Sequence, residues 1–356
     1  MLMGVAHPVV INTLALFYVW NVVAALFVVI FGGFFLVLRL ERRTWQWPFN
    51  GPPGRDTLIW GLGLLWIIDG LLQAQPLMVT QFVGLVLDPL KSHQIPSVER
   101  VVHWGIQLWS LHPLAWDWLA VWVQILIGVG IILGQETRGR RIALVVAVVW
   151  ALIIWGPGEA FGNIVARGSW LLGSPGSALL YAIGAIVLLF PVSIWTTRRM
   201  VRVFELFMAG LWALAALLQA WPGSAWWNPT RLPHFLLSQA RMPQPSFVSS
   251  PIYVVAHWID RSGTMANGML VALFVVLALL WMRGHAGRGA VAVSLGVTIL
   301  TWWFGQDLGV FGGMSTDPNS GVLLVLALVV YRRFRPPLRG QGSAPSEQEP
   351  LRSATP

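Results

Sequence analysis

His103 and His257 each precede a tryptophan, and each follows a pair of valines by one or two residues. Two imidazoles in matching contexts could hold one metal ion, or one haem iron from opposite sides. Imidazole beside indole equally suits a helix anchored at a membrane interface. Glu159 and Asp307 lie in glycine-rich segments at the ends of apolar runs. A carboxylate there could bind a cation, carry protons or complete a metal site, and it could also sit in water at a helix end. Asp69 falls inside an apolar run, where an ionisable group is costly and suits either function or a structural pairing. Gln306 takes the place that Glu159 has in an otherwise similar segment, so the two segments are not chemically equal.

The elements that must position these residues are helices in lipid. Hydrophobic residues make up 56% of the chain and charged ones 10%, with a mean hydropathy of +0.69. A soluble domain carries about 25% charge. Nine apolar runs approach the roughly 20 residues needed to span a bilayer. They cover about 10–38, 57–75, 116–134, 142–160, 177–196, 203–221, 265–282, 289–305 and 319–334. The net charge of +9 does not point to nucleic acid, because 16 of the 23 basic residues sit in short loops at one set of run ends. That asymmetry predicts a cell-membrane protein with its N-terminus outside and its C-terminus cytoplasmic. With no cysteine, disulfides, thiolate metal sites, iron–sulfur clusters and cysteine nucleophiles are excluded. Nucleotide-binding glycine loops, His-Glu-x-x-His and Gly-x-Ser-x-Gly are also absent from the sequence.

The runs fall into a repeat. Leu65–Pro76 reads LWIIDGLLQAQP and Leu211–Pro222 reads LWALAALLQAWP, 146 positions apart. Gly158-Glu159-Ala160-Phe161-Gly162 resembles Gly305-Gln306-Asp307-Leu308-Gly309, and Ser174-Pro175-Gly176 resembles Asp317-Pro318-Asn319. The expected fold is an all-α integral membrane bundle: an N-terminal helix and loop (1–56), two parallel four-helix units (57–200 and 201–335) and a disordered tail (336–356). Asp69 corresponds to Ala215, while Gln73 and Gln219 recur and predict hydrogen bonds between helices. The long connections 76–115 and 222–264 predict a cap containing amphipathic helices, with Val98, Val101, Val102, Gly105, Ile106 and Trp109 on one face and Glu99, His103 and Gln107 on another. The 22 tryptophans suit an interfacial belt, or a cavity for a quinone, a lipid or another flat apolar molecule.

The segments Gly63–Pro76 and Gly158–Gly162 resemble a group of bacterial multi-pass membrane proteins, and the four-helix unit is similar in size to DoxX-type membrane proteins. The resemblance implies a helical membrane fold and brings no activity. Three functions follow from the residues. The first is binding of a small ligand, redox cofactor or metal between the halves near the outer face, with Asp69, Glu159, Asp307, Gln306, His103 and His257 as candidates. The second is secondary transport. The third is a scaffold role beside other membrane subunits.

Overall fold

The computed structural model describes residues 15, 17–26, 29, 51–134, 138–166, 168–284, 286–311 and 315–334. The tail at 336–356 and most of the 1–56 unit lie outside the described residues. Among those described there are helices and turns and no strand. The helices are α1 (Phe17–Leu26), α2 (Pro53–Gln73), α3 (Pro76–Phe82), α4 (Pro96–Leu111), α5 (Pro113–Leu133), α6 (Arg138–Ile153) and α7 (Ser177–Leu189). They continue with α8 (Arg198–Ala220), α9 (Arg231–Ala240), α10 (Ser246–Trp258), α11 (Gly263–Met282), α12 (Arg288–Gln306) and α13 (Asn319–Arg332). Among the described residues six segments are long and apolar enough to cross a membrane: Pro53–Gln73, Pro113–Leu133, Arg138–Gly158, Arg198–Ala220, Gly263–Met282 and Arg288–Gly309. The apolar helices α1, α7 and α13 are shorter.

Local chemistry sets several ends. Pro53 opens α2 at the first helical position, where its missing N–H costs nothing. Thr197 caps α8 by accepting from the Met200 N–H, so that helix starts before the apolar run does. The predicted span over 177–196 is interrupted, because Pro191 forces Phe190 into an extended conformation (φ −65°, ψ 147°) and ends α7 at Leu189. The remainder folds as a 3-10 turn, Val192–Thr196, whose Trp195 is buried and stacks on Phe334.

Small residues bring α2 and α5 together. A Cβ on Gly63 would meet the Gly128 carbonyl at 3.0 Å and one on Gly70 the Val121 carbonyl at 2.8 Å, close approaches typical of membrane helix pairs. The matching positions in α8, which packs along α11, are Ala209 and Ala216. One apolar core joins both halves, with Trp66, Trp212, Trp281 and Leu324 all buried in it. Facing outward, Ile142, Val145, Val149 and Leu152 of α6 form an exposed apolar stripe, suited to acyl chains rather than water.

Two buried charges near the arginine-rich ends are satisfied locally. Arg140 donates to the Ile131 and Ile132 carbonyls at the end of α5, where a cation also complements the helix dipole. Glu205 accepts from the Tyr331 hydroxyl at 2.8 Å and the Ala286 N–H at 3.3 Å, with Arg202 at 3.4 Å. The connection 76–115 is helical, as its pattern predicts: Val98 and Val102 of α4 are buried against Ala160 and Phe161, while Glu99, His103 and Gln107 are exposed.

Candidate functional site

The site begins where α6 stops being an α-helix. Its last residues form a π-helical turn, Ile154–Gly158, and then Ala160, Phe161 and Gly162 take left-handed φ values of 47°, 56° and 66°. This reversal folds the chain back beneath α7. A Cβ on Gly162 would overlap the Pro175 carbonyl, so glycine is required there. The Trp155 indole N–H donates to that same carbonyl at 2.8 Å. The reversal aims Glu159 at the first turn of α7, where its carboxylate accepts from the Ser177 hydroxyl at 2.6 Å and the Ala178 N–H at 3.1 Å. A helix N-terminus is a favourable place for an anion.

Beside Glu159 lies a cavity of about 470 Å³. α2 contributes Asp69 and Gln73, α7 contributes Ser177 and Tyr181, and the connection before α13 contributes Thr316 and Asp317. Trp66, Trp104, Trp109, Trp116 and Trp150 supply most of the wall. Gly105 of α4 rests on Pro157, which closes one side, and the exposed Trp104 marks where the cavity reaches the surface. No arginine, lysine or histidine is among the lining residues.

Electrostatics divide the three carboxylates. Asp317 accepts from the Asn319 N–H at 2.6 Å and the Thr316 hydroxyl at 3.2 Å. Burial pushes its pKa above the ordinary carboxylate range, and these hydrogen bonds partly oppose the rise. Glu159, one residue past the membrane-type segment, is pushed up to about 7, first by burial and then by the charge of Asp317; Ser177 and Ala178 pull the other way. Asp69 is 3% exposed, and its Oδ1 has no hydrogen-bond partner among the described residues. The Tyr181 hydroxyl is buried beside it and faces the same carboxylate, without reaching the geometry of a full hydrogen bond. Such groups cost on the order of 1–3 kcal/mol each when left unsatisfied.

The same turn recurs at the end of α12. Asp307, Leu308 and Gly309 have φ values of 48°, 53° and 73°. The Trp302 indole N–H donates to the Pro318 carbonyl at 2.8 Å, and a Cβ on Gly309 would overlap that carbonyl. Gln306 then accepts from the Ser320 hydroxyl and the Gly321 N–H, both at 3.4 Å. There is no matching acidic group at this turn: Ala215 and Leu324 stand where Asp69 and Tyr181 stand in the first half, and both are buried. The space beside Gln306 is filled by the first half, whose connection carries Trp170 against Trp212 (5.4 Å) and donates to Thr301 at 3.1 Å. Gln306 donates to the Trp170 carbonyl at 3.2 Å.

Of the sequence candidates, the structure brings Asp69 and Glu159 to one cavity. Gln306 occupies the packed counterpart. Asp307 aligns with Ala160 rather than with Glu159, lies beside Gln244, and is not among the cavity residues. His103 and His257 are both exposed and line no part of the cavity; the His257 Nδ1 is 2.7 Å from the Tyr253 carbonyl. Among the described residues no three His, Asp or Glu side chains converge as a metal-ligating group. Of the tryptophans expected at the interface, Trp104, Trp221 and Trp258 are exposed, but Trp226 is fully buried against Phe235.

Sequence reasoning passed over Tyr181, Asp317 and Asp117. Asp117 is fully buried on α5 and accepts from Gln73 at 2.6 Å, the pairing that Gln219 makes with Asn267 in the other half. The signal available was the Ser174/Asp317 mismatch in an otherwise matching Pro-containing turn. Compared with known proteins, the chain matches no protein family, no curated protein and no solved structure, so function has to be read from the cavity itself.

Proposed function

We propose that the protein is a multi-pass membrane protein that binds a small ligand in the Asp69–Glu159–Asp317 cavity, near the outer membrane face where its two halves meet. In this reading nine helices cross the cell membrane, α1 followed by two four-helix units in parallel order, residues 57–200 and 201–335. The arginines cluster at the helix ends away from the cavity, which supports a cytoplasmic C-terminus and a cavity opening outward. The single observation that carries the reading is a cavity of about 470 Å³, walled by tryptophan, into which a buried carboxylate is built whose Oδ1 has no hydrogen-bond partner among the described residues. That volume lies within the range of small-molecule sites, and an intramembrane carboxylate with an unpartnered oxygen is costly unless it serves binding.

The experiment is mass spectrometry of small molecules released from gently purified protein, wild type beside Ala120→Trp. Ala120 is buried and lines the cavity, so a tryptophan there fills it. A compound enriched in the wild type and depleted in the filled variant is the expected result. Identical small-molecule content in two well-folded proteins would sink the reading.

One observation favours transport as a second reading. The helix that delivers Glu159 is broken at the site, through the π turn and the left-handed reversal, and discontinuous helices of this kind form the substrate sites of many secondary transporters.

A further inference from the structure

We infer that the ligand of this cavity is an organic cation, a quaternary ammonium or protonated amine on a small apolar body. The inference rests on the ligand-binding reading above and names the chemistry of that ligand.

The argument starts from charge. Three carboxylates face one cavity, and among the described residues no basic side chain lines it. Glu159 and Asp317 each accept from two donors, whereas Asp69 has only the Tyr181 hydroxyl beside it and its Oδ1 has no hydrogen-bond partner among the described residues. Asp69 is thus the group left for a ligand, and the charges of Asp317 and Glu159 reinforce it. An anionic ligand would meet repulsion from all three. A neutral quinone could accept from the buried indole N–H groups of Trp66, Trp109, Trp116 and Trp150, which have no partner among the described residues, but it would bring neither a donor nor a positive charge to Asp69. Opposite charges attract far more strongly in a cavity of low effective dielectric than in water, so a cation here gains substantially.

The walls decide which cation. A small hard metal ion needs several converging oxygens, and no three-ligand group is present among the described residues. Indole rings line the cavity instead, from Trp66, Trp104, Trp109, Trp116 and Trp150. Aromatic walls around a carboxylate recognise a soft, weakly hydrated cation through its alkyl or aromatic body and through cation–π attraction. The volume of about 470 Å³ fits such a body and far exceeds a bare ion.

The test uses the full chain in lipid nanodiscs and two probes of equal shape, benzyltrimethylammonium and its neutral carbon isostere neopentylbenzene. Cavity-specific binding is the difference between wild type and the filled Ala120→Trp variant, which removes partition into lipid. The expected result is that the cation binds at least about tenfold more tightly than the isostere, the size of a desolvated cation–π and charge contribution. Asp69→Asn should remove that preference and leave the isostere unchanged. Glu159→Gln, which places at 159 the side chain Gln306 already carries in the matching turn, should fold and should weaken the cation alone. If both probes bind the cavity equally, the cation inference is overturned while the ligand-binding reading stands. If neither shows cavity-specific binding in well-folded protein, both are overturned.

Discussion

The turn after α6 and the turn after α12 have the same backbone and opposite uses. Each opens with three successive left-handed residues (extended to a fourth, Asn163, in the first), and each has an indole hydrogen bond to a proline carbonyl and a glycine with no room for a Cβ. At the first, Glu159, Asp69 and Tyr181 face empty space; at the second, Gln306, Ala215 and Leu324 face packed side chains. The difference lies in what the opposite half inserts. The connection from Gly162 to Pro175 is four residues longer than that from Gly309 to Pro318, and its extra length delivers Trp170 and Leu171 into the second half. The shorter connection delivers Thr316 and Asp317 instead, and adds charge rather than bulk. A conserved backbone device can therefore serve as structure in one place and leave a site in another, depending on the neighbouring loop.

The largest effect should come from removing the plug. Trp170 is 1% exposed, packs at a tilt against Trp212 and donates to Thr301. Trp170→Ala should cost about 3–5 kcal/mol of unfolding free energy, whereas Trp104→Ala, at the mouth of the empty cavity, should cost less than about 1 kcal/mol. Equilibrium unfolding of the detergent-solubilised variants compares them directly. Equal losses would mean that Trp170 is ordinary surface packing and that the filled-versus-open contrast is wrong.

Next come the glycines. Gly162→Ala and Gly309→Ala should each cost about 3 kcal/mol, because each places a Cβ on a proline carbonyl at positive φ. Here the expectation is likeness rather than contrast, since both turns depend on the same close approach. A mild effect at one site and a severe one at the other, in melting temperature, would show that the two turns are not equivalent supports.

How much of this was legible in the sequence follows from range. Helix periodicity and apolar length are local, so the membrane-type helices and the amphipathic α4 could be read, along with Asp69 and the Glu159/Gln306 mismatch. Pro191 was also local, yet the apolar run continued past it and masked the break. Tyr181 and Asp317 looked unremarkable because their meaning depends on Asp69, reached only through packing across about 110 and 250 residues of chain. The crossing of Trp170 into the second half has no sequence period at all. The histidines drew attention by type and repeat, but α4 and α10 turn them outward.

A reciprocal swap sharpens the comparison at smaller cost. Gln306→Glu replaces the amide that donates to the Trp170 carbonyl with a group that, when ionised, only accepts, and it buries charge without a cation. A loss of about 2–3 kcal/mol at pH 8 is expected. Glu159→Gln keeps an acceptor for Ser177 and the Ala178 N–H, and at pH 5, where folded Glu159 holds its proton, should change stability by less than about 1 kcal/mol. If both swaps were tolerated equally, the two turns would not differ in what surrounds them.

The last contrast is in pH. Glu159 has a folded pKa raised from 4.5 to about 7, so between those values the folded state holds a proton that the unfolded chain has released. Stability should therefore fall as pH rises through that window, and the penalty is complete above about 7. Asp317, Asp69 and Tyr181 face the same cavity, and Asp317 titrates in the same direction, so Glu159→Gln should flatten part of the slope rather than all of it. Melting temperatures of wild type and Glu159→Gln across pH 5 to 8 measure this. The cation probe supplies the converse: ionised carboxylates attract it, so its affinity should rise over the pH range in which the empty protein loses stability. Affinity that is flat across pH 5 to 8 would mean that Glu159 carries no charge the ligand senses, and would leave Asp69 alone as the anionic group of the cavity.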